Sequence, residues 1–201
     1  MAKGNRGGKR LAGASNDGIG YKLKPGEEVY ARLAPTWLNK QGQILIVKNS
    51  NGQYVYTGNI NSNVPKTDTN SSEYQSALRS NNVKVNFKSD GSVEVVKGGL
   101  YQRKKTFKDV DSFQKDVTSK LDAKINYENN NINYIKSGVL PHSQLQASNY
   151  KTIIQNNPGS QAMMLINKDL NKYLQEAQTR RDAAQDIKER LNNAVYNYKK
   201  K

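Results

Sequence analysis

The feature that most constrains this fold is a helical repeat over the last 42 residues of the chain. Mostly apolar residues recur there at alternating steps of three and four, which predicts a helix over about 160–199 with Ser160 as its N-cap. The repeat consists of Ile166, Leu170, Tyr173, Ala177, Arg180, Ala184, Ile187, Leu191, Ala194 and Tyr198. Ala177, Arg180 and Ala184 weaken its middle. We therefore predict a helix-association seam through Ile166, Leu170, Tyr173, Ile187, Leu191 and Tyr198.

The predicted helix is longer than the body that it must pack against. Forty helical residues span roughly 60 Å, whereas a domain of about 90 residues is on the order of 30 Å across. The sequence does not decide between two packing partners for the seam. It packs within the chain against a helix over 111–126, or it associates with a second copy or a partner helix.

A second helix is predicted by "DVDSFQKDVTSKLDAKI", which places Phe113, Val117, Leu121 and Ile125 at four-residue steps. Asp109 or Asp111 can accept hydrogen bonds as its N-cap. The Asn-rich stretch "NYENNNINY" is expected to break the helix.

The middle of the chain predicts β-structure. Two hairpins are indicated by "QILIVK-NSNG-QYVYTG" and "VKVNFK-SDG-SVEVV", and "EVYARL" forms an earlier strand. In the second hairpin Val83, Val85 and Phe87 alternate with polar residues, as a strand with one wet face requires. A short helix is predicted around 73–79. We expect an α+β protein in which about five strands form a small antiparallel sheet or open barrel, followed by a helical region.

Before any apolar pattern begins, the chain carries Lys3, Arg6, Lys9 and Arg10 among glycines. Such a composition buries too little apolar surface to offset its ordering entropy, so we expect a disordered basic arm over 1–24. A β-rich domain over 25–110 and a helical region over 111–201 complete the predicted organisation. Splitting the charges gives 6 cations and 1 acid in the arm, 12 and 7 in the β-rich segment, and 14 and 9 in the helical region.

The formal net charge of +15 indicates an anionic partner, either nucleic acid or an acidic protein surface. The absence of cysteine excludes disulfides, thiolate metal sites and cysteine nucleophiles. No secretory h-region follows the basic start, and no run approaches the roughly 20 apolar residues of a membrane span. We therefore expect no membrane span and a cytoplasmic location, which is the host cytoplasm or a virion if the source is viral.

The densest cationic cluster of the β-rich segment is "KGGLYQRKKTFK", with Lys97, Arg103, Lys104, Lys105 and Lys108. These cations suit phosphates, and Tyr101 within the cluster could stack on unpaired bases. The alternative places the aromatic rings in the core, with the cations along a solvated strand edge that resists aggregation.

Catalytic signals are weak. His142 is the single histidine, and the nearest carboxylates in sequence, Glu128 and Asp169, stand at no metal-ligand spacing from it. No phosphate-binding glycine loop is present. The sequence therefore predicts no cofactor and no metal site.

We expect a non-catalytic binding or assembly protein that docks through basic surfaces. The Asn- and Lys-rich composition is typical of a virion or nucleoprotein component of a phage-like element. The first alternative is a nucleic-acid-binding regulator or inhibitor. The second is a small nuclease or transferase built around His142.

Overall fold

A computed structural model describes residues 22–33, 44–57, 64–140 and 160–201. These ranges confirm the α+β class and the long C-terminal helix. The elements in chain order are β1 (Glu28–Leu33), β2 (Ile44–Lys48), β3 (Tyr54–Tyr56), α1 (Ser72–Asn81), β4 (Val85–Phe87), β5 (Val93–Val95), β6 (Lys105–Phe107), α2 (Val110–Lys136) and α3 (Ser160–Lys199).

The chain divides into two compact units that are discontinuous in sequence. The first comprises the described residues of 1–64 and 133–173, and the second comprises 65–132 and 174–201. Each unit therefore combines part of the predicted β-rich segment with part of the predicted helical region. Residues 1–21 of the predicted arm, with Lys3, Arg6, Lys9 and Arg10, lie outside the described residues.

The first unit contains an antiparallel sheet in the order β1-β2-β3. The predicted β2–β3 hairpin is confirmed, and its turn uses Gly52 at φ 76° while the Asn49 side chain accepts from the backbone amide of Gln53. Val139 bridges to Val55 across the free edge of β3. The backbone carbonyl of Gly138 accepts there from the Tyr56 amide at 2.7 Å, an approach too close for a side chain.

The second unit contains a separate antiparallel sheet in the order β4-β5-β6. The predicted β4–β5 hairpin is confirmed, with Gly91 at φ 85° in its turn. The expectation of one five-stranded sheet or barrel is wrong, because the described strands form two three-stranded sheets. Strand β6 lies inside the lysine-rich cluster and comprises only three residues, Lys105–Phe107.

Helices α1 and α2 begin at side-chain caps. The Ser71 hydroxyl accepts from the Tyr74 amide, and the Asp109 carboxylate accepts from the Ser112 amide at 2.7 Å. The predicted short helix and the Asp109 cap are thereby confirmed.

The predicted break at the Asn-rich stretch is wrong, because α2 continues to Lys136. Tertiary contacts hold the stretch helical despite its modest propensity. Glu128 and Ile132 are buried there, and Asn129 accepts a hydrogen bond from Arg181 of α3.

Helix α3 runs antiparallel to α2 within the second unit. Lys199 pairs with Asp111 near one end, and Arg180 pairs with Glu128 near the other. Ile187 and Leu191 lie in the same apolar core as the α2 stripe. Over this half of α3 the seam therefore packs within the chain.

The other seam positions vary in exposure. Leu170 is buried, and Tyr173 and Tyr198 are half-buried. Arg180, which belongs to the repeat but not to the seam, is exposed. Ile166 lies near the start of the helix, whose first described residue is Ser160. Association through the seam with a second copy or a partner helix stays a prediction.

No helix in the described ranges is both long enough and apolar enough to cross a membrane.

Candidate polyanion-binding surface

The outer face of the β4-β5-β6 sheet carries a regular array of polar side chains. Asn86, Glu94 and Thr106 are paired across the three strands and form its central row. Lys84, Lys88 and Lys104 stand two residues from Asn86 or Thr106, at the period that keeps side chains on one face of a strand, and Lys108 directly follows β6 in the bend before α2. We call this array the lysine face: Lys84, Asn86, Lys88, Glu94, Lys104, Thr106 and Lys108.

The opposite face of the sheet fixes the array by packing into the core. Phe87, Val93 and Phe107 are paired across the strands, and Phe87 and Phe107 each make edge-to-face contacts with Phe113 of α2. Val93 is fully buried. A one-residue slip would bring Lys and Glu into this core, so the register of the lysine face is strongly specified.

Hydrogen bonds extend the β4–β5 pairing to both ends of the array. The amide of Val96 donates to the carbonyl of Lys84 at 3.1 Å, and the amide of Lys88 donates to the carbonyl of Ser92 at 3.0 Å. Lys84 and Lys88 therefore lie at opposite ends of the pairing of β4 with β5.

Glu94 is the acid at the centre of the lysine face. Its carboxylate lies 2.7 Å from the Lys104 ammonium and 2.8 Å from the Lys88 ammonium. These hydrogen bonds, first from Lys104 and then from Lys88, lower the pKa of Glu94 to about 2. In the described part of the chain, Lys84 and Lys108 have no carboxylate within 4.0 Å.

The structure divides the five cations predicted around 97–108. Lys104 and Lys108 belong to the lysine face. Lys105 faces the other side of the sheet, where its ammonium lies 3.9 Å from Asp116 and 4.8 Å from the centroid of the Phe107 ring. Lys97 and Arg103 are exposed in the β5–β6 connection.

Tyr101 does not provide the predicted stacking surface. It is only 5% exposed, and its hydroxyl donates to Asp116 at 2.7 Å. Burial, this hydrogen bond and the charge of Asp116 raise the pKa of Tyr101. Its ring packs edge-to-face on Phe107. The prediction of base stacking by Tyr101 is therefore corrected, because the ring belongs to the core.

The β5–β6 connection depends on a glycine at its closest backbone approach. Gly99 has φ +58°, and a Cβ there would lie 1.8 Å from the carbonyl oxygen of Asn82. The next amide, that of Leu100, donates to the same oxygen at 3.2 Å. Gly99 thereby lets the connection return to the sheet so that β6 can pair with β5.

An ion pair between a buried carboxylate and an exposed guanidinium lies elsewhere in the second unit, between α2 and α3. Glu128 is 7% exposed, and both of its carboxylate oxygens accept from Arg180, at 2.8 and 3.2 Å. The hydrogen bond that Arg180 donates to Glu128 raises the pKa of the Arg180 guanidinium. Because this fork satisfies the buried carboxylate, the pair has a structural explanation.

The described ranges offer no metal site, since no three His, Asp or Glu side chains cluster there. His142, on which the enzyme alternative rests, lies outside those ranges.

The lysine face was only partly predicted from the sequence. The alternation of Lys84, Asn86 and Lys88 with apolar residues was visible and correctly indicated a wet face. What the sequence did not show is that Lys104 and Lys108 share this face, because that depends on β6 pairing with β5.

The chain matches no protein-family model, no curated protein and no solved structure.

Proposed function

We propose that the protein is a non-catalytic binding protein that docks on nucleic acid through the lysine face. The observation that carries the proposal is the array itself, in which four lysines stand on one sheet face around a single acid. All four lysines are exposed. The inner side of the sheet is fixed by the core, so these charges stand on a rigid platform.

Electrostatics support an anionic partner. Glu94 is the one acid within the face and contacts two of its four ammonium groups, and Asp90 and Asp109 interact electrostatically with Lys88 and Lys108 from just outside it, so the four lysines still outnumber these three acids. The Glu94 side chain is 14% exposed, but its partners Lys88 and Lys104 are 47% and 64% exposed, so solvent screens the ion pairs and a phosphate can compete with Glu94 for both lysines. Phosphate binding also releases condensed counterions, which adds a favourable term that a sparse acidic protein surface does not supply.

Other cations of the chain can extend the contact. Lys97 and Arg103 are exposed in the connection between β5 and β6. The glycine-rich sequence that contains Lys3, Arg6, Lys9 and Arg10 has the composition of an arm that becomes ordered on a polyanion. A rigid face with a cationic arm fits a nucleoprotein or virion component better than a catalyst.

A direct titration tests this proposal. Full-length protein is added to a fluorescently labelled 20-base-pair duplex at low and at physiological salt, and anisotropy is measured. We expect binding at low salt that weakens steeply as salt rises. An absence of binding at low salt would overturn the proposal. A pull-down from nuclease-treated and untreated lysate would then identify protein partners.

A further inference from the structure

The lysine face lacks what a single-stranded ligand requires. Binding of unpaired bases relies on exposed aromatic rings on which the bases stack. The face itself has no aromatic side chain, and the nearby rings of Tyr101 and Phe107 are buried at 5% and 7% exposure. The exposed tyrosines of the second unit, Tyr127 and Tyr196, lie on helices α2 and α3.

The central row of the face carries groups that can read base edges. Asn86 and Thr106 are exposed on the two outer strands of the sheet, and their side chains make no hydrogen bond to other described residues. An asparagine amide can donate to and accept from adenine in the major groove, and a threonine can contact a base edge or the thymine methyl group.

The dimensions of the face match a duplex groove. Neighbouring strands are about 4.8 Å apart, so the axes of β4 and β6 are roughly 10 Å apart, within the width of about 12 Å of the B-DNA major groove, which admits a two-stranded β-ribbon. Lys84 and Lys88 are four residues apart along an extended chain, so their Cα atoms are separated by about 13 Å. The lysines thus stand at the four corners of the face, Asn86 and Thr106 lie midway along its outer strands, and Glu94 lies between them.

We propose that the lysine face binds duplex DNA in its major groove, with the lysines on phosphates and with Asn86 and Thr106 on base edges. This inference rests on the proposed function, to which it adds the kind of nucleic acid and a sequence preference. Double-stranded RNA is a poorer ligand, because the major groove of an A-form helix is deep and too narrow for side chains to read.

Glu94 orients part of the lysine face before DNA binds. Its position between Asn86 and Thr106 sets a negative charge at the centre of the face, away from the phosphates at the rim. Its ion pairs to Lys88 and Lys104 orient two of the lysines before DNA binds.

Selection from a randomised duplex pool tests the inference. Wild-type protein is compared with the double variant Asn86→Ala/Thr106→Ala and with the control Thr69→Ala/Asn70→Ala. The control removes the same two side-chain types from exposed positions before α1. Affinity for the selected duplex, for a scrambled duplex and for single-stranded DNA is then measured against salt.

We expect wild type and control to enrich a common sequence and to bind it more tightly than the scrambled duplex. In the double variant the ratio of affinities for the selected and the scrambled duplex should fall about 5- to 150-fold, as expected for the loss of one good base contact. The slope of log affinity against log salt should stay the same. Binding to duplex without enrichment, or enrichment that survives the double variant, would overturn the inference and leave the proposed function standing. Tighter binding to single-stranded DNA would also overturn it. Binding to no nucleic acid would overturn both.

Discussion

The Tyr101 hydroxyl donates a hydrogen bond to the Asp116 carboxylate at 2.7 Å, which ties the β5–β6 connection to helix α2. The same carboxylate lies 3.9 Å from the Lys105 ammonium of β6. Asp116 thus holds both the connection and the last strand of the second sheet. The pairing of β6 with β5 brings Lys104 to the lysine face, and the contacts of Asp116 support this arrangement from the other side of the sheet.

Replacing Tyr101 with Phe should lower the free energy of unfolding by about 1–2 kcal/mol, because a hydrogen bond to a charged acceptor is lost while the ring remains in the core. Affinity for single-stranded and duplex DNA should not change. Denaturant unfolding and anisotropy titration check the two parts. A selective loss of single-strand affinity in a folded variant would show that Tyr101 does contact bases.

Local sequence signals predicted most helices and strands, but they did not predict how the strands are arranged in two sheets. Gly52 and Gly91 mark two turns, and Asp109 marks a helix start, because each acts on its immediate neighbours. Two other features depend on partners distant in sequence. Helix α2 continues past Asn129 because α3 contacts it, and the lysine-rich β6 is a strand because β5 pairs with it.

The lysine face likewise combines features that local sequence predicts with features that depend on residues distant in sequence. Exposed cations at Lys104 and Lys108 followed from composition, whereas the opposite direction of Lys105 follows from the pairing register. The burial of Tyr101 depends on the contact with Asp116. The sequence places both residues in one cluster and cannot say which of them faces solvent.

Substitution of Gly99 by Ala should be more destabilising than substitution of Gly91 by Ala. Both residues have positive φ, but only at Gly99 does a Cβ meet backbone, at 1.8 Å from Asn82. We expect a loss of about 1 kcal/mol for Gly91→Ala and at least about 1 kcal/mol more for Gly99→Ala. Thermal or urea unfolding measures both. Equal losses would contradict the close approach at Asn82.

Glu94 should make the protein more sensitive to acid. Its folded pKa of about 2 lies below its ordinary value of 4.5, so its contribution to stability is present above pH 4.5 and is lost as pH falls towards 2. Glu94→Gln should therefore lose less stability than wild type between these pH values. Urea unfolding at intervals of pH measures the difference. Parallel pH profiles would contradict the ion pairs with Lys88 and Lys104.

Ile187→Ala tests the intramolecular use of the α3 seam. Ile187 is 1% exposed in the core of the second unit, so truncation should cost about 2–5 kcal/mol. The shift in unfolding midpoint should be the same at low and high protein concentration. A shift that shrinks as concentration rises would show that this position is buried between copies instead.

The salt dependence of DNA affinity tests the central claim most directly. Wild type is compared with Lys84→Ala/Lys104→Ala, which removes two lysines of the lysine face, and with Lys66→Ala/Lys115→Ala, which removes two exposed lysines elsewhere in the second unit. If both face lysines contact phosphates, the plot of log affinity against log salt should become shallower by about 1.8 in the face variant and stay unchanged in the control. Equal slopes in all three proteins, or an equal loss in the control, would contradict docking through the lysine face.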